Sequence, residues 1–315
     1  MSISLSDIRA AAERIRGVIG PTPVLTSRTF NREAGVEAFF KCENFQRGGA
    51  FKLRGAANAL LSLTRDQLAR GVVTFSSGNH AQATAIAAAH VGTKATIVMP
   101  DDAPKTKLAA TRGYGAEIVL FDRMKEDRIA IGRRIAAERG ATVIPPFDHP
   151  DVMAGQGTAA LELMEEIPEL DALVVCIGGG GLISGCATAA KGLNPSIRVF
   201  GVEPADGNDT YLSLREGRYV EVPPPRTIAD GLRTPTPGRV TFPVVRALVE
   251  SIALVDDDQI RAMMKFFLHR MKIVVEPSGA VAAAALLFRL LPSGIRRVGV
   301  IVSGGNVDQE VLAGL

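Results

Sequence analysis

Apolar positions follow two patterns that alternate along most of the chain: short continuous runs, and runs at helical spacing. Residues 5–19 carry apolar side chains at helical spacing, with Ser6 as a plausible cap and Gly20-Pro21 as the stop, so they predict a helix. Residues 22–25 predict an extended edge segment, and residues 38–42 a strand. A first αβ series predicts strands at 72–75, 95–99, 117–120 and 142–144, with helices at 79–90, 105–112 and 125–139.

A second series of the same kind follows Pro145-Pro146. Residues 216–243 within it are rich in proline and weakly periodic, so they are interpreted as a long ordered loop that carries site residues. Apolar runs separated by helical periods are typical of parallel sheets covered on both faces, so the pattern predicts an α/β protein with two open sheets. The second series predicts strands at 173–177, 198–202 and 298–302, with helices at 158–167, 182–191, 257–271 and 278–291.

Composition narrows the class of protein further. Lys and Arg number 36 against 33 Asp and Glu, with the two signs interspersed, so no basic stripe indicates nucleic-acid binding. The N-terminus lacks the regions of a signal peptide, and no apolar run approaches the ~18 residues of a membrane span. The three cysteines, Cys42, Cys176 and Cys186, are widely spaced, which favours reduced thiols in a cytoplasmic protein. Cys176 is interpreted as a core residue because its neighbours are apolar.

Two short motifs carry candidate chemistry. Lys52 lies in a turn of small residues, Gly49 to Gly55, and a buried lysine amine can condense with an aldehyde cofactor. Taken alone, such a lysine is more simply a solvated charge at a helix start. The contiguous glycines Gly178 to Gly181 lie between a strand and a helix, where backbone N–H groups and the helix dipole favour a phosphate. An amine and a phosphate cradle are the two features that pyridoxal phosphate needs.

Three further features have both a functional and a plain interpretation. The segment Ser76 to His80 lies between a strand and a helix, where it could hold a substrate carboxylate or merely cap the helix. Glu203 and Asp209 could supply oxygens to a hard cation, or could form an acidic solvated loop. Arg128 is most simply a solvated charge on a basic helix, although its planar fork suits a carboxylate.

The motifs resemble one known family. Their order over nearly the whole chain is similar to that of the pyridoxal-phosphate-dependent serine/threonine dehydratase and serine racemase family. The resemblance implies an α/β protein of fold type II, like the β subunit of tryptophan synthase, with a large domain of residues 1–62 and 148–315 and a small mobile domain of residues 63–147. It also implies a homodimer and a cofactor in the cleft between the two sheets. The matching motifs are Lys41–Gln46 leading into Gly49–Ala56, Ser76–Ala81, Gly178–Gly181 and Ser303–Asn306.

The same resemblance implies roles for single residues. Lys52 would bind the cofactor covalently and remove the Cα proton, and Ser77 would be the acid/base on the opposite face in racemases. Ser303 would face the pyridine nitrogen, and because a hydroxyl does not hold that nitrogen protonated, elimination is favoured over transamination. Arg128 would contact the substrate. The other expected roles are Phe51 beside the ring, Gly178, Gly179, Gly180, Gly181 and Leu182 at the phosphate, Asn79 at the phenolic oxygen, Ser76, Ser77 and His80 at the substrate carboxylate, and Glu203, Gly207 and Asp209 around Mg²⁺ or a similar divalent cation.

The expected reaction is dehydration and deamination of a β-hydroxy amino acid, from L-threonine to 2-oxobutanoate and ammonia or from L-serine to pyruvate and ammonia. No effector segment is recognised after Leu315, which implies the catabolic type of threonine dehydratase. The alternatives are serine racemase, 3-hydroxyaspartate ammonia-lyase and, more distantly, a non-catalytic amino-acid sensor. The sequence departs from the family pattern at Ala50, where many relatives have serine, and at Gly48, which puts nucleotide activation in doubt.

Overall fold

The computed structural model describes residues 3–76, 78–103, 105–122 and 124–315. The strands in these ranges are β1 (Val24–Leu25), β2 (Glu37–Cys42), β3 (Val72–Phe75), β4 (Ala95–Pro100), β5 (Glu117–Phe121), β6 (Thr142–Val143), β7 (Ala172–Cys176), β8 (Arg198–Pro204), β9 (Ser251–Val255) and β10 (Arg297–Val302). The helices are α1 (Leu5–Ile15), α2 (Arg28–Ala34), α3 (Lys52–Leu61), α4 (Arg65–Arg70), α5 (Asn79–Val91), α6 (Lys105–Gly113), α7 (Arg128–Arg139), α8 (Pro150–Glu166), α9 (Gly181–Leu193), α10 (Asp209–Glu216), α11 (Thr241–Leu248), α12 (Asp257–Phe266), α13 (Pro277–Leu287) and α14 (Gln309–Ala313).

The strands form two sheets, as the alternating pattern predicts. The larger sheet has the order β1-β2-β10-β7-β8-β9 and is parallel except for the edge strand β1, while the smaller sheet has the order β5-β4-β3-β6 and is parallel throughout. All strands of the smaller sheet come from residues 72–143. The predicted domain boundaries stay a prediction. No helix in the described ranges is long and apolar enough to cross a membrane.

Close helix packing fixes α3, which carries Lys52 at its start. A Cβ on Gly55 would lie 2.8 Å from the carbonyl oxygen of Val152 in α8, and a Cβ on Gly157 would lie 2.7 Å from that of Gly185 in α9. Backbones can approach this closely only where glycine removes the side chain, so the glycines let the three helices pack directly against one another. The first residue of α3 is thereby held at a fixed place relative to α9.

The same glycines explain the largest error in the sequence-based prediction of helices. The helix predicted at 158–167 begins at Pro150, where His149 Nδ1 accepts a hydrogen bond from the Asp151 N–H as the cap. Gly155 and Gly157 weaken the helical pattern in sequence, but they are buried contact points in the structure. Their helix is stabilised by burial against neighbours rather than by local propensity.

Several shorter elements were not predicted. They include α2, α4, α10, α11 and β9, and α11 begins inside the segment 216–243 that was interpreted as a loop. The helix predicted at 125–139 begins at Arg128, where the Asp127 carboxylate accepts a hydrogen bond from the Ile129 N–H at 2.7 Å. Helices of six to eight residues are too short for a clear periodic signal, so they depend on caps and tertiary contacts.

A buried cluster of charges fixes the first turn of α3 from the side away from the cavity described below. Arg54, which is fully buried, donates to both oxygens of Glu43 at 2.7 and 2.9 Å and to both oxygens of Glu162 at 2.6 and 2.8 Å. Lys41 pairs with Glu162 at 2.7 Å. Two cations and two carboxylates therefore balance one another, and the cluster connects β2, α3 and α8.

Candidate active site

A cavity of about 540 Å³ is bordered by segments that follow strands of both sheets. The segment after β3 contributes Ser76 and Asn79, the segment after β7 contributes the glycine turn, and Ser303 follows β10 directly. The carboxyl ends of parallel strands are where open α/β sheets bind ligands. The structure therefore brings most of the sequence-predicted site residues to one place.

Lys52 is the first residue of α3, and its side chain borders this cavity. The turn before it contains Gly48 and Gly49 in left-handed conformations, with φ of 80° and 71°, and the Phe51 N–H donates to the Ser303 carbonyl at 3.0 Å. Nζ donates to the Pro146 carbonyl oxygen at 2.8 Å. Burial lowers the pKa of Lys52 from 10.5 to about 8, although the nearby Glu276 carboxyl opposes the shift. The amine is thus easier to deprotonate than that of an ordinary lysine.

The four glycines form the turn from β7 into α9, and all of them border the cavity. Gly180 has φ of +86°, and a Cβ on Gly179 would overlap the ring of Phe147. The Thr241 hydroxyl donates to the Gly179 carbonyl at 2.7 Å, which fixes the turn from its outer side. The first N–H groups of a helix have no partner within the helix, so those of α9 can bind an anion in the cavity.

The segment before α5 supplies polar groups from the smaller sheet. Ser76, Asn79 and His80 border the cavity, whereas Ser77 lies outside the described residues. His80 Nε2 lies 3.1 Å from the Ile144 carbonyl, so this nitrogen carries the proton. Burial, helped by the charge of Lys52, lowers the pKa of His80 to about 3, so the ring is neutral. His80 Nδ1 is buried and makes no hydrogen bond to any described residue.

In this tautomer, His80 cannot donate a hydrogen bond from Nδ1 to the carboxylate of a substrate, as the predicted contact would need. A neutral ring that donates through Nε2 offers Nδ1 as an acceptor, whereas a carboxylate needs a donor. The contact would require the other tautomer, with Nε2 no longer donating to Ile144. The role of His80 at the substrate carboxylate stays a prediction.

Ser303 and Cys176 lie at the ends of neighbouring parallel strands, β10 and β7, and both border the cavity. Ser303 is 2% exposed. Burial raises the pKa of the Cys176 thiol to about 11, with the Ser303 hydroxyl opposing the shift, so the thiol is neutral. Cys176 is buried, as its interpretation as a core residue predicts. The sequence did not indicate that it also lines the cavity.

Glu276 and Asn306 are two site residues whose roles sequence reasoning missed. Glu276 precedes α13 and is 5% exposed, and its Oε1 accepts a hydrogen bond from Asn79 Nδ2 at 2.8 Å. Asn306 Nδ2 donates to Asn79 Oδ1 at 2.9 Å. An acidic residue directly before a proline-initiated helix is the signal that could have indicated Glu276.

Arg128 is exposed and borders the cavity at the start of α7. Its position on the rim results from the cap by Asp127, which begins the helix at this residue. A guanidinium there can meet a second carboxylate of a ligand, and the predicted contact with substrate stays a prediction.

The acidic pair lies outside the cavity lining and is not a solvated loop. Glu203 is in β8 and Asp209 is the first residue of α10, and both are fully buried. The Thr210 and Tyr211 N–H groups donate to Glu203 at 3.1 and 2.7 Å. The Asp209 oxygens accept no well-formed hydrogen bond from described residues, although the hydroxyls of Thr210 and Thr234 lie close enough to act on its charge. Burial raises the pKa of Asp209 to about 7, and burial together with the charge of Asp209 raises that of Glu203.

The chain is similar over nearly its whole length to several known enzymes. Serine racemase of Schizosaccharomyces pombe is 51% identical over 304 residues, which cover 96% of this chain and 94% of that protein. An L-threo-3-hydroxyaspartate ammonia-lyase of a Pseudomonas species is 52% identical over 314 residues, which cover 99% and 98%. The crystal structure of a threonine deaminase from T.th. superposes with a TM-score of 0.90 at 41% identity and covers 97% of this chain and 99% of that one.

These similarities confirm the predicted fold class, fold type II with two αβ sheets. The family described as "Pyridoxal-phosphate dependent enzyme" matches residues 15–304, which is most of the chain. The chain therefore belongs to the family of pyridoxal-phosphate-dependent enzymes.

Proposed function

We propose that the chain is a lyase that dehydrates and deaminates a β-hydroxy amino acid, with L-threonine or L-serine as substrate. The observation that carries the proposal is that the Lys52 amine and the glycine turn at the start of α9 border one cavity. A lysine of lowered pKa is suited to bind an aldehyde, and the turn is suited to bind its phosphate. The similarity to a threonine deaminase supports the same chemistry.

The residues present fit pyridoxal phosphate. A volume of about 540 Å³ is within the range of small-molecule sites. Gly178 to Gly181 and Leu182 would hold the phosphate, Phe51 would pack beside the ring, and Asn79 would donate to the phenolic oxygen. When bound, the cofactor supplies an aldehyde carbon and a ring that withdraws electrons from Cα of the substrate.

Two side chains would then control the proton chemistry. Lys52 would remove the Cα proton, since an amine with a pKa of about 8 is partly neutral near physiological pH. Ser303 would offer the ring nitrogen a hydroxyl rather than a carboxylate, so that nitrogen would not be held protonated. This arrangement favours loss of the β-hydroxyl over amino-group transfer.

A second candidate substrate is 3-hydroxyaspartate. Arg128 borders the cavity, where its planar fork could bind the second carboxylate of this substrate, and the Pseudomonas relative acts on the L-threo isomer by its name. Serine racemisation is a third candidate, supported by the S. pombe relative. It would need Ser77 as the acid/base on the face opposite Lys52.

A divalent cation, Mg²⁺ or similar, is part of the proposal. Glu203 and Asp209 are two buried carboxylates without a positively charged partner among the described residues, and the Asp209 oxygens lack well-formed hydrogen bonds. A cation held by both carboxylates and the Gly207 carbonyl would remove their mutual repulsion. No group of three or more His, Cys, Asp and Glu side chains in the described ranges is placed so that it could hold a metal ion, so water would have to complete the shell.

The remaining parts of the proposal concern the whole molecule. The chain would work as a cytoplasmic homodimer, and the segment 63–147 would close over a bound amino acid to exclude water. The segment contains the whole smaller sheet, and Ser76, Asn79 and His80 at the edge of that sheet border the cavity, so a movement of the segment would change access to the cavity.

The test combines a spectrum with a substrate panel. Purified protein should be yellow with the cofactor, and Lys52→Ala should lose both the visible band and turnover, whereas Lys191→Ala at the far end of α9 should keep both. L-threonine, L-serine, D-serine and the 3-hydroxyaspartate isomers should be assayed for 2-oxo acid, ammonia and racemised product. A wild-type protein that stays colourless with added cofactor, or one that binds amino acids without forming any product, would refute the proposal.

A further inference from the structure

Asn306 connects the turn before Lys52 to Asn79, the first residue of α5. Its Nδ2 donates to the Gly48 carbonyl at 2.7 Å and to Asn79 Oδ1 at 2.9 Å, and Asn79 Nδ2 donates onward to Glu276 Oε1 at 2.8 Å. Three hydrogen bonds thus run from the turn before Lys52, through the first residue of α5, to the start of α13.

The direction of these three hydrogen bonds is set by the groups at the two ends of the series, the Gly48 carbonyl and Glu276. A backbone carbonyl can only accept, so Gly48 requires a donor from Asn306, and the Glu276 carboxyl oxygen Oε1 accepts from Asn79 Nδ2. Asn306 uses both hydrogens of its amide nitrogen, one toward Gly48 and one toward Asn79. Asn79 must therefore turn Oδ1 to Asn306 and Nδ2 to Glu276.

The consequence appears on the cavity side of Asn79. Its amide nitrogen has two hydrogens, Glu276 accepts one, and no described residue accepts the other. Asn79 borders the cavity beside Lys52. A ligand in the cavity therefore meets an N–H donor at this position rather than a carbonyl acceptor.

Asn306 cannot reverse its own amide without placing Oδ1 against the Gly48 carbonyl oxygen, which cannot donate a hydrogen bond. A Cβ on Gly49 would overlap the Asn306 side chain, so the amide lies directly against the backbone of the lysine turn. The Gly305 N–H also donates to the Gly49 carbonyl at 2.9 Å, which holds the segment beside this turn. The amide that orients Asn79 is thus attached to the turn that positions Lys52.

We propose that Asn306 is a positioning residue that, together with Glu276, makes Asn79 present a donor to the cavity at a fixed place relative to Lys52. The inference rests on the proposed function and deepens it. The ring of pyridoxal phosphate carries an anionic oxygen next to the aldehyde that Lys52 would bind. A donor there stabilises that oxygen, whereas an acceptor would raise its proton affinity.

The test reverses the donor and acceptor roles in this series of hydrogen bonds without changing the net charge of the protein. In the double variant Asn306→Asp/Glu276→Gln, position 306 can only accept and position 276 can donate, so the Asn79 amide should turn over and present its oxygen. The pH midpoint of the visible band of the protein-bound cofactor should rise by about one unit, the size expected for losing one charge-assisted hydrogen bond. The dissociation constant of the cofactor should rise about tenfold.

Glu276→Gln alone is the matched control. Glutamine can still accept from Asn79, so the direction of the chain is kept, and loss of the negative charge should move the midpoint down rather than up. A merely structural role would change melting temperature in both variants without opposite spectral shifts. A double variant whose midpoint is equal to or below that of wild type would overturn the inference.

Two further outcomes keep the test decisive. If the double variant does not fold, Asn306→Asp alone is measured. The added negative charge and the reversed Asn79 amide should both raise the pH midpoint of the visible band. An unchanged midpoint would therefore overturn the inference. Wild-type protein that never binds the cofactor refutes the proposed function instead. The two failures are therefore distinguishable.

Discussion

Replacing Arg54 by methionine should destabilise the protein by about 4 kcal/mol, because it leaves a carboxylate uncompensated in the core. Glu43 is fully buried and receives two hydrogen bonds from Arg54 and one from the Thr22 hydroxyl at 2.6 Å. Glu162 would keep Lys41 as its partner at 2.7 Å, so the cost arises at Glu43. Methionine fills a similar volume, which limits the contribution of a cavity.

The expected change in melting temperature follows from the size of the chain. With about 2.1 cal/mol/K of unfolding entropy per residue, the 315 residues give roughly 0.66 kcal/mol/K, so about 4 kcal/mol lowers the Tm by about 6 °C. Denaturant unfolding and differential scanning calorimetry of the same preparations should agree on this loss. The double variant Arg54→Met/Glu43→Gln removes the unpaired charge and should recover more than half of it.

Arg134→Met provides the matched control. Arg134 pairs with Glu138 at 2.8 Å on the exposed face of α7, where ion pairs contribute little to stability. Arg54 would not be essential for stabilising a buried Glu43 carboxylate if Arg54→Met cost no more than Arg134→Met, or if Glu43→Gln restored nothing in the Arg54→Met background. Either result would mean that Glu43 becomes hydrated or takes up a proton when Arg54 is removed.

Three other predictions test the site. Gly179→Ala should weaken cofactor binding about tenfold or more because its Cβ would overlap Phe147, whereas Gly17→Ala, with nothing within 4 Å, should not; equilibrium dialysis measures both. In cofactor-free protein, the folded-state pKa of Lys52 is about 8 against 10.5 for an ordinary lysine, so the unfolded state binds more protons between these values. The free energy of unfolding should therefore rise with pH from about 8 to 10.5, and Lys52→Met, with no charge there, should lack this rise. Chelation should lower the Tm of wild type, while Glu203→Gln should be insensitive to chelator; equal responses would count against a cation at this pair.

The predicted strands and the two principal motifs could be found from the sequence because their signals are local. A run such as Val298 to Val302 is apolar over consecutive positions, as a strand buried on both faces must be. Four contiguous glycines after a strand indicate a backbone anion site without knowledge of any distant residue. Lys52 could be singled out because its turn is made of small residues and precedes a helix.

The helix α8 and the acidic pair show where local signals mislead. Gly155 and Gly157 lower helical propensity, yet contact with α3 and α9 more than compensates for it. From the sequence, Glu203 and Asp209 are as consistent with an acidic solvated loop as with a cation site. Only the placement of β8 against its neighbouring strands shows that they are buried. Burial depends on what packs over a residue, and the residue's own neighbours in sequence do not show it.

The sequence by itself determined the α/β class, the lysine turn and the glycine turn, since each follows from residue types within a few positions. Tertiary structure alone decided which groups surround them. Asn79 meets Glu276 across 197 positions and Asn306 across 227, and such hydrogen bonds leave no periodic trace in the chain. The direction in which the Asn79 amide points is set by two acceptors that only the folded chain brings together, because the orientation of a polar side chain depends on its partners in space.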